Sequence, residues 1–203
     1  MNPASIFRRL SNVSRPSIIA AWILLLLAVS IAQAQAAPAT RADLAIVGGT
    51  ERSLRANTAQ GVWLASGSIE LGINVWRGWG AAANITGSHT GSIGASGVPF
   101  SSVTETFGPR YRWHQGHKLS LFGEGLVGEG NGFGSLFPGT GGSQNQSGAL
   151  ATEVTGGVDY RIGKQFSVRA LDAGWVRTSF ANGTDNVQNY LRLGAGIVFN
   201  FGK

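Results

Sequence analysis

The chain has 203 residues, a formal charge of +6, no cysteine, and 31 glycines, about twice the usual share. The missing cysteine excludes disulfide staples, thiolate metal centres and a cysteine nucleophile. Only 13% of residues are charged, which together with the glycine content excludes an ordinary helical enzyme and points to one β domain with tight turns and crowded interior positions.

The first element is "MNPASIFRRLSNVSRPSIIAAWILLLLAVSIAQAQAAPAT". Arg8, Arg9 and Arg15 form a basic start, Ile18 to Ile31 is an apolar run, and Ala32-Gln33-Ala34 and Ala34-Gln35-Ala36 both offer small-x-small cleavage sites. This is the layout of a cleavable secretory signal peptide over 1–36. The apolar run is short for a spanning helix, which needs roughly 20 residues. Removing residues 1–36 takes away three arginines and no acid, so the formal charge falls from +6 to +3. The remaining basic residues are scattered, which removes the case for nucleic acid as a partner.

Residues 37–42 read as a tether, and 43–203 as a barrel domain of eight strands separated by Gly/Ser/Asn-rich breaks. The first strand (44–52) is the least regular. The second (62–75) sets Trp63, Ala65, Ile69, Leu71 and Ile73 against Ser66, Ser68, Glu70 and Asn74. The third (79–86) sets Trp79, Ala81, Ala83 and Ile85 against Ala82, Asn84 and Thr86, and the fourth (103–113) sets Phe107, Tyr111 and Trp113 against Arg110 and Arg112. The fifth (118–128) sets Leu119, Leu121 and Val127 against Ser120, Phe122 and Glu124. The sixth (149–161) sets Leu150, Val154, Val158 and Tyr160 against Glu153, Asp159 and Arg161. The seventh (166–178) starts with Phe166, Val168 and Ala170 against Ser167 and Arg169, then slips phase near Leu171, as at a bulge. The eighth, "NYLRLGAGIVFNFGK", sets Leu191, Leu193, Ala195, Ile197, Phe199 and Phe201 against Arg192, Gly194, Gly196, Val198 and Asn200.

Every strand thus has one oily face and one small or polar face. A core behind the oily face would make a soluble sandwich or barrel; lipid would make a membrane barrel. Connection lengths favour lipid. Tight turns at 76–78, 114–117 and 162–165 alternate with longer stretches at 53–61, 87–102, 129–148 and 179–188, as in outer-membrane barrels with short periplasmic turns and long external loops. Aromatic residues fall near both ends of the strands. Trp76, Trp79, Trp113 and Tyr160 lie by the short turns, and Trp63, Phe107, Trp175 and Tyr190 nearer the long connections. On the outward faces they would form two interfacial girdles.

The polar faces hold four acids (Glu70, Glu124, Glu153, Asp159) and four bases (Arg110, Arg112, Arg169, Arg192). An eight-stranded barrel is only wide enough for its own side chains, so these charges must pair. Equal numbers predict a salt-bridged plug, with Glu124 or Glu153 opposite Arg169 or Arg192. Catalytic readings are weak. His114 and His117 supply only two metal ligands on a tight turn, Ser88-His89 lacks an orienting acid, and "GEGNGFG" (128–134) opens no helix and reads as an external loop. No cofactor, metal or catalytic residue is expected.

The segments "FGPRYRW", "LFGEGLVG", "GGVDYRIGKQFSVR" and "NYLRLGAGIVFNFG" resemble the small outer-membrane barrels of the OmpA-like, eight-stranded type, most closely a barrel-only variant common in soil-type bacteria. The resemblance covers roughly 42–203. It implies an all-β, eight-stranded antiparallel up-and-down transmembrane barrel in the outer membrane. It also implies a monomer among outer-membrane lipids, inserted by the outer-membrane assembly machinery through a C-terminal signal made here of Tyr190, Phe199 and Phe201. The family's end signal finishes on an aromatic; here Gly202 and Lys203 follow Phe201. The peptidoglycan-binding domain often attached to such barrels is not expected. The expected role is non-enzymatic, in envelope structure or surface contact through external loops. The alternatives are a narrow pore for small solutes and a soluble lipocalin-like barrel, whose cavity should be mostly apolar.

Overall fold

The computed structural model describes residues 42–54, 61–93, 97–115, 117–139, 142–181 and 186–202. The signal peptide (1–36), and the tether as far as residue 41, lie outside them. Eight strands make up the described chain: β1 Ala42–Ser53, β2 Trp63–Trp76, β3 Trp79–Ile93, β4 Val98–Trp113, β5 Leu119–Gly139, β6 Gly142–Arg161, β7 Phe166–Thr178 and β8 Gln188–Phe201. Each pairs antiparallel with its neighbour in sequence, and β8 pairs back onto β1, so the sheet is a closed up-and-down barrel with no free edge.

The stagger follows from the register. The pairing runs from Leu44 through Leu71, Ala83, Phe107, Val127, Thr152, Arg177 and Asn189, whose carbonyl accepts the Leu54 amide at 2.7 Å. The circuit ends ten residues further along β1 than it began. For eight strands, that shear tilts them by about 40° to the barrel axis. At that tilt about ten residues cross a 25 Å apolar band; the strands here run from 12 to 21 residues.

Side chains alternate across the wall as the pleat requires. Leu64, Glu70, Asn84, Thr86, Arg110, Phe122, Glu153 and Arg192 point inward and are buried. Ile69, Leu71, Ile85, Phe107, Val127, Leu150, Val154, Leu193 and Ile197 point outward and are exposed. The polarity is the reverse of a water-soluble protein: Arg110 and Arg169 are 0% exposed, while Leu150 is 59% and Phe107 66% exposed.

The short connections gather at one rim, the turn end. Arg77 (φ 47°) and Gly78 (φ 89°) close β2–β3 in the left-handed region used by type I′ hairpins. The turn after Trp113 is held by the His117 amide donating to the His114 carbonyl at 3.1 Å, and that after Arg161 by the Ile162 and Gly163 amides donating to the Phe166 carbonyl at 3.0 and 3.1 Å. The opposite rim, the loop end, carries the other connections.

The structure corrects the expected long loops at 87–102 and 129–148. β3 and β4 continue through Ile93 and Val98, and β5 and β6 pair out to Gly139 opposite Gly142, so "GEGNGFG" lies within β5. Ladder bonds satisfy the backbone there whatever the side chains, so Gly/Ser/Asn-rich sequence does not end the strands. The bulge near Leu171 is present: the β7 register shifts between Arg169 and Asp172 against β8, and Ala170 and Leu171 both face outward.

Candidate functional site: an ionic lumen under an aromatic cap

Nearest the turn end, Asp43 of β1 sits between two arginines of β4. Arg110 Nη1 donates to Asp43 Oδ1 at 2.8 Å, and Arg112 Nη2 to Asp43 Oδ2 at 3.4 Å. Arg110 also faces Glu124 at 3.1 Å and Glu70 at 3.7 Å, and Arg112 reaches Asp159 at 2.9 Å. Arg110 fits because its neighbour is Gly72: a Cβ there would lie 1.4 Å from Arg110 Nη1.

Arg169 of β7 is the hub. Its Nη2 donates to Glu70 Oε1 at 3.0 Å, its Nε to Asp159 at 3.0 Å and its Nη1 to Asp172 at 3.0 Å. Its guanidinium lies 3.9 Å from the centroid of the Phe122 ring, with those of Arg110 and Arg112 at 5.4 and 5.9 Å. Three cations around one ring spread their charge over its quadrupole as well as over the carboxylates. The ring reaches the axis because it lies across Gly157, where a Cβ would fall 2.6 Å from Phe122 Cε1.

One layer further, Arg192 of β8 pairs with Glu153 of β6, donates to Thr86 Oγ1 at 3.0 Å and faces Asp172 at 3.5 Å. Glu153 also accepts from Thr155 at 2.6 Å, Asn84 at 3.2 Å and Thr106 at 3.3 Å. Asp172 thus links the Arg169 and Arg192 layers. All these carboxylates and guanidiniums are buried, and such ions are retained only where each is met by opposite charge and hydrogen bonds.

Glu70, Arg110, Arg112, Glu124, Glu153, Asp159, Arg169 and Arg192 therefore all stand in this network. The expected equality of signs is corrected: Asp43, Glu51 and Asp172 also point inward and are buried, so seven acids face four arginines among the described residues. Asp43 was missed because it sits where the tether meets the first strand, and Glu51 because that strand alternates weakly. Asp172 was missed because the bulge reverses the parity after Arg169.

At the loop end the lumen changes character. Leu64, Phe100, Phe137 and Phe180 form a buried cluster joined by Val62, Ile93, Ala149 and Tyr190. The Phe180 ring lies 6.3 Å from that of Phe100 and 5.8 Å from that of Phe137. Gln188 clamps Phe180 in place, accepting its amide at 2.9 Å and donating to its carbonyl at 3.0 Å. Extending the strand parity outward from Thr104, Thr178 and Arg192 would have placed Phe100, Phe180 and Tyr190 inside.

Two girdle expectations are corrected accordingly. Tyr190 shares the parity of Arg192 and packs into the cap rather than facing outward. Phe107 faces outward, but on the row Leu71–Ala83–Phe107–Val127, well inside the apolar band. At the turn end, Trp76, Trp79 and Trp113 are exposed on the outer wall. Tyr111 joins two of them edge-on, at 4.9 Å from Trp79 and 4.5 Å from Trp113, and Tyr160 is half-buried on the same wall. Phe199 packs on Phe166 at 5.3 Å, and Phe201 is exposed. Nearer the loop end, Trp63 is exposed under the Arg52 guanidinium at 5.4 Å, and Trp175 is half-buried.

His114 and His117 meet edge-on at 5.8 Å on their turn, and the described residues hold no cluster of three metal-ligating side chains. Ser88 points inward while His89 points outward and hydrogen-bonds Ser101 at 2.9 Å, so Ser88 and His89 cannot act as a dyad.

No protein-family model matches the chain, and no curated protein matches it in sequence. Solved structures do match. The Neisserial surface protein A, NspA, superposes with a TM-score of 0.61 at 14% identity over 80% of this chain and 99% of its own. The outer membrane protein OprG of Pseudomonas aeruginosa does so with a TM-score of 0.50 at 10% identity over 81% and 98%. The structural neighbours are eight-stranded outer-membrane β-barrels, and this chain has their fold.

Proposed function

We propose that the chain is an integral outer-membrane barrel that carries no catalytic site and serves envelope structure or surface contact, with its bore closed by its own side chains. One observation carries the reading: the wall buries arginine and exposes leucine, isoleucine and phenylalanine all round. Such a wall is stable only where hydrocarbon replaces water outside it. The same wall weighs against a soluble, lipocalin-like barrel, which would have to hydrate it.

Closure rests on the bore. An eight-stranded barrel leaves room only for its side chains, and here Asp43, Glu70, Phe122, Glu124, Glu153 and the four arginines occupy it. The cap of Phe100, Phe137 and Phe180 lies across the loop end. The paired extensions of β3–β4 and β5–β6 stand at that rim and are the parts offered to an external partner. The chain inserts as a monomer through the outer-membrane assembly machinery, with β8 and its Phe199 and Phe201 as the recognition end.

The test is fractionation of the processed chain followed by electrophoresis without and with boiling. A membrane-bound protein with a faster unheated band is expected. A processed chain that stays monodisperse in detergent-free buffer would overturn the reading.

A further inference from the structure

We propose that the outer wall of β5–β7 binds an anionic glycerophospholipid at the turn end, one acyl chain lying in a groove of the wall and the phosphate against the turns. The inference rests on the membrane reading above.

The groove has a volume of about 380 Å³ and is lined almost wholly by apolar surface, from Trp113, Leu121, Gly156, Val158 and Leu171, with His114 at its turn-end mouth. Its origin is local. Gly123 and Gly156 face each other on the outward side of β5 and β6, so the wall has no side chains there. Behind them Phe122, which also lines the groove, has turned into the lumen. The Trp113 indole forms one bank, with a ring carbon 3.4 Å from where a Gly123 Cβ would stand. Leu171, pushed outward by the β7 bulge, forms the other.

Charge says what covers the groove. It lies beneath two turns, 114–118 and 162–165, which carry His114, His117, Lys118 and Lys164, with Arg161 beside them. The Arg161 amide donates to the Lys118 carbonyl at 2.7 Å. Among the described residues at this rim the acids are Asp43 and Asp159, both buried and engaged by lumen arginines. Lys164 and Arg77 are exposed there and Lys118 and Arg161 half-buried, so the rim carries a net positive charge. An apolar slot opening onto a cationic rim at the level of the indole girdle matches a lipid with a hydrocarbon tail and a net negative headgroup. A zwitterionic headgroup gains less from the same lysines.

Brominated lipids report contact through tryptophan quenching, and the Trp113 share is the difference between the unaltered chain and Trp113→Phe. In phosphatidylcholine vesicles, brominated phosphatidylglycerol is expected to quench that share at about one fifth the mole fraction needed by brominated phosphatidylcholine. Val158→Phe with Leu171→Phe fills the groove and is expected to abolish the difference, and Lys118→Gln with Lys164→Gln to reduce it. Equal dependence on the two lipids, or a preference surviving in the filled groove, would overturn the proposal. Quenching of Trp63, Trp76 and Trp79 by either lipid separates the two ideas: if neither lipid quenches them, the membrane reading itself fails.

Discussion

The ionic layers and the aromatic cap fill the same bore by opposite chemistry. Around Arg169, the filling depends on direction: each guanidinium nitrogen points at a named carboxylate, and the layer holds only while the partners stay paired. Around Phe180, it depends on area: three phenyl rings lie 5.8–6.5 Å apart with Leu64 in the same buried cluster and no charge among them. The ionic region is built from the paired middle and turn-end parts of the strands. The cap is built from strand ends and the residues just past them, where a directional network would be hard to hold and packing tolerates small shifts. Ion pairs stand in the depth of the bore, and hydrophobic contact at its loop end.

The largest break in that comparison is Arg169→Met. It leaves Glu70, Asp159 and Asp172 without their central cation, and removing one partner of a buried pair costs about 3–5 kcal/mol. We expect a marked fall in the urea midpoint of the detergent-folded barrel, or loss of the unheated fast band. Ile69→Arg tests the outside of the same layer. A lipid-facing arginine near mid-membrane costs about 2–4 kcal/mol, so the barrel should fold with reduced stability in vesicles and lose less in detergent micelles.

Phe180→Ala tests the cap. Phenylalanine truncation in a fully enclosed core costs about 3–5 kcal/mol, and this site at the rim should fall at or below the lower figure, with faster proteolysis confined to the loop end. Gln188→Ala should cost least, about 1 kcal/mol for the half-exposed hydrogen bonds it makes with Phe180 and Thr178 at the rim, seen as earlier hydrogen exchange of the Phe180 amide. A cap that proved costlier than the Arg169 hub would reverse the assignment of strength.

The same contrast explains what the sequence disclosed. β2, β6 and β8 alternate without interruption, so their faces, and with them Glu70, Glu153, Asp159 and Arg192, could be assigned by parity. So could Phe122, whose place among polar residues marked it as inward before any contact was known. Asp172 could not, because the two outward residues Ala170 and Leu171 break the count. The cap was hidden for another reason. Toward the loop end β3–β6 keep their hydrogen bonds while losing the alternation that announces them. Phe100 and Phe137 therefore fell in stretches whose composition reads as loop. Tyr190 was misplaced by its nearness to the long connection, although its parity with Arg192 pointed inward.

The central claim is that the bore is shut by its own paired charges. Conductance of the processed barrel in a planar lipid bilayer tests it most directly. The account predicts insertion without steady conducting steps, both for the unaltered chain and for Phe100→Ala with Phe180→Ala, which removes the cap and leaves the ionic layers in place. A large, steady, porin-like current through the unaltered barrel would contradict it.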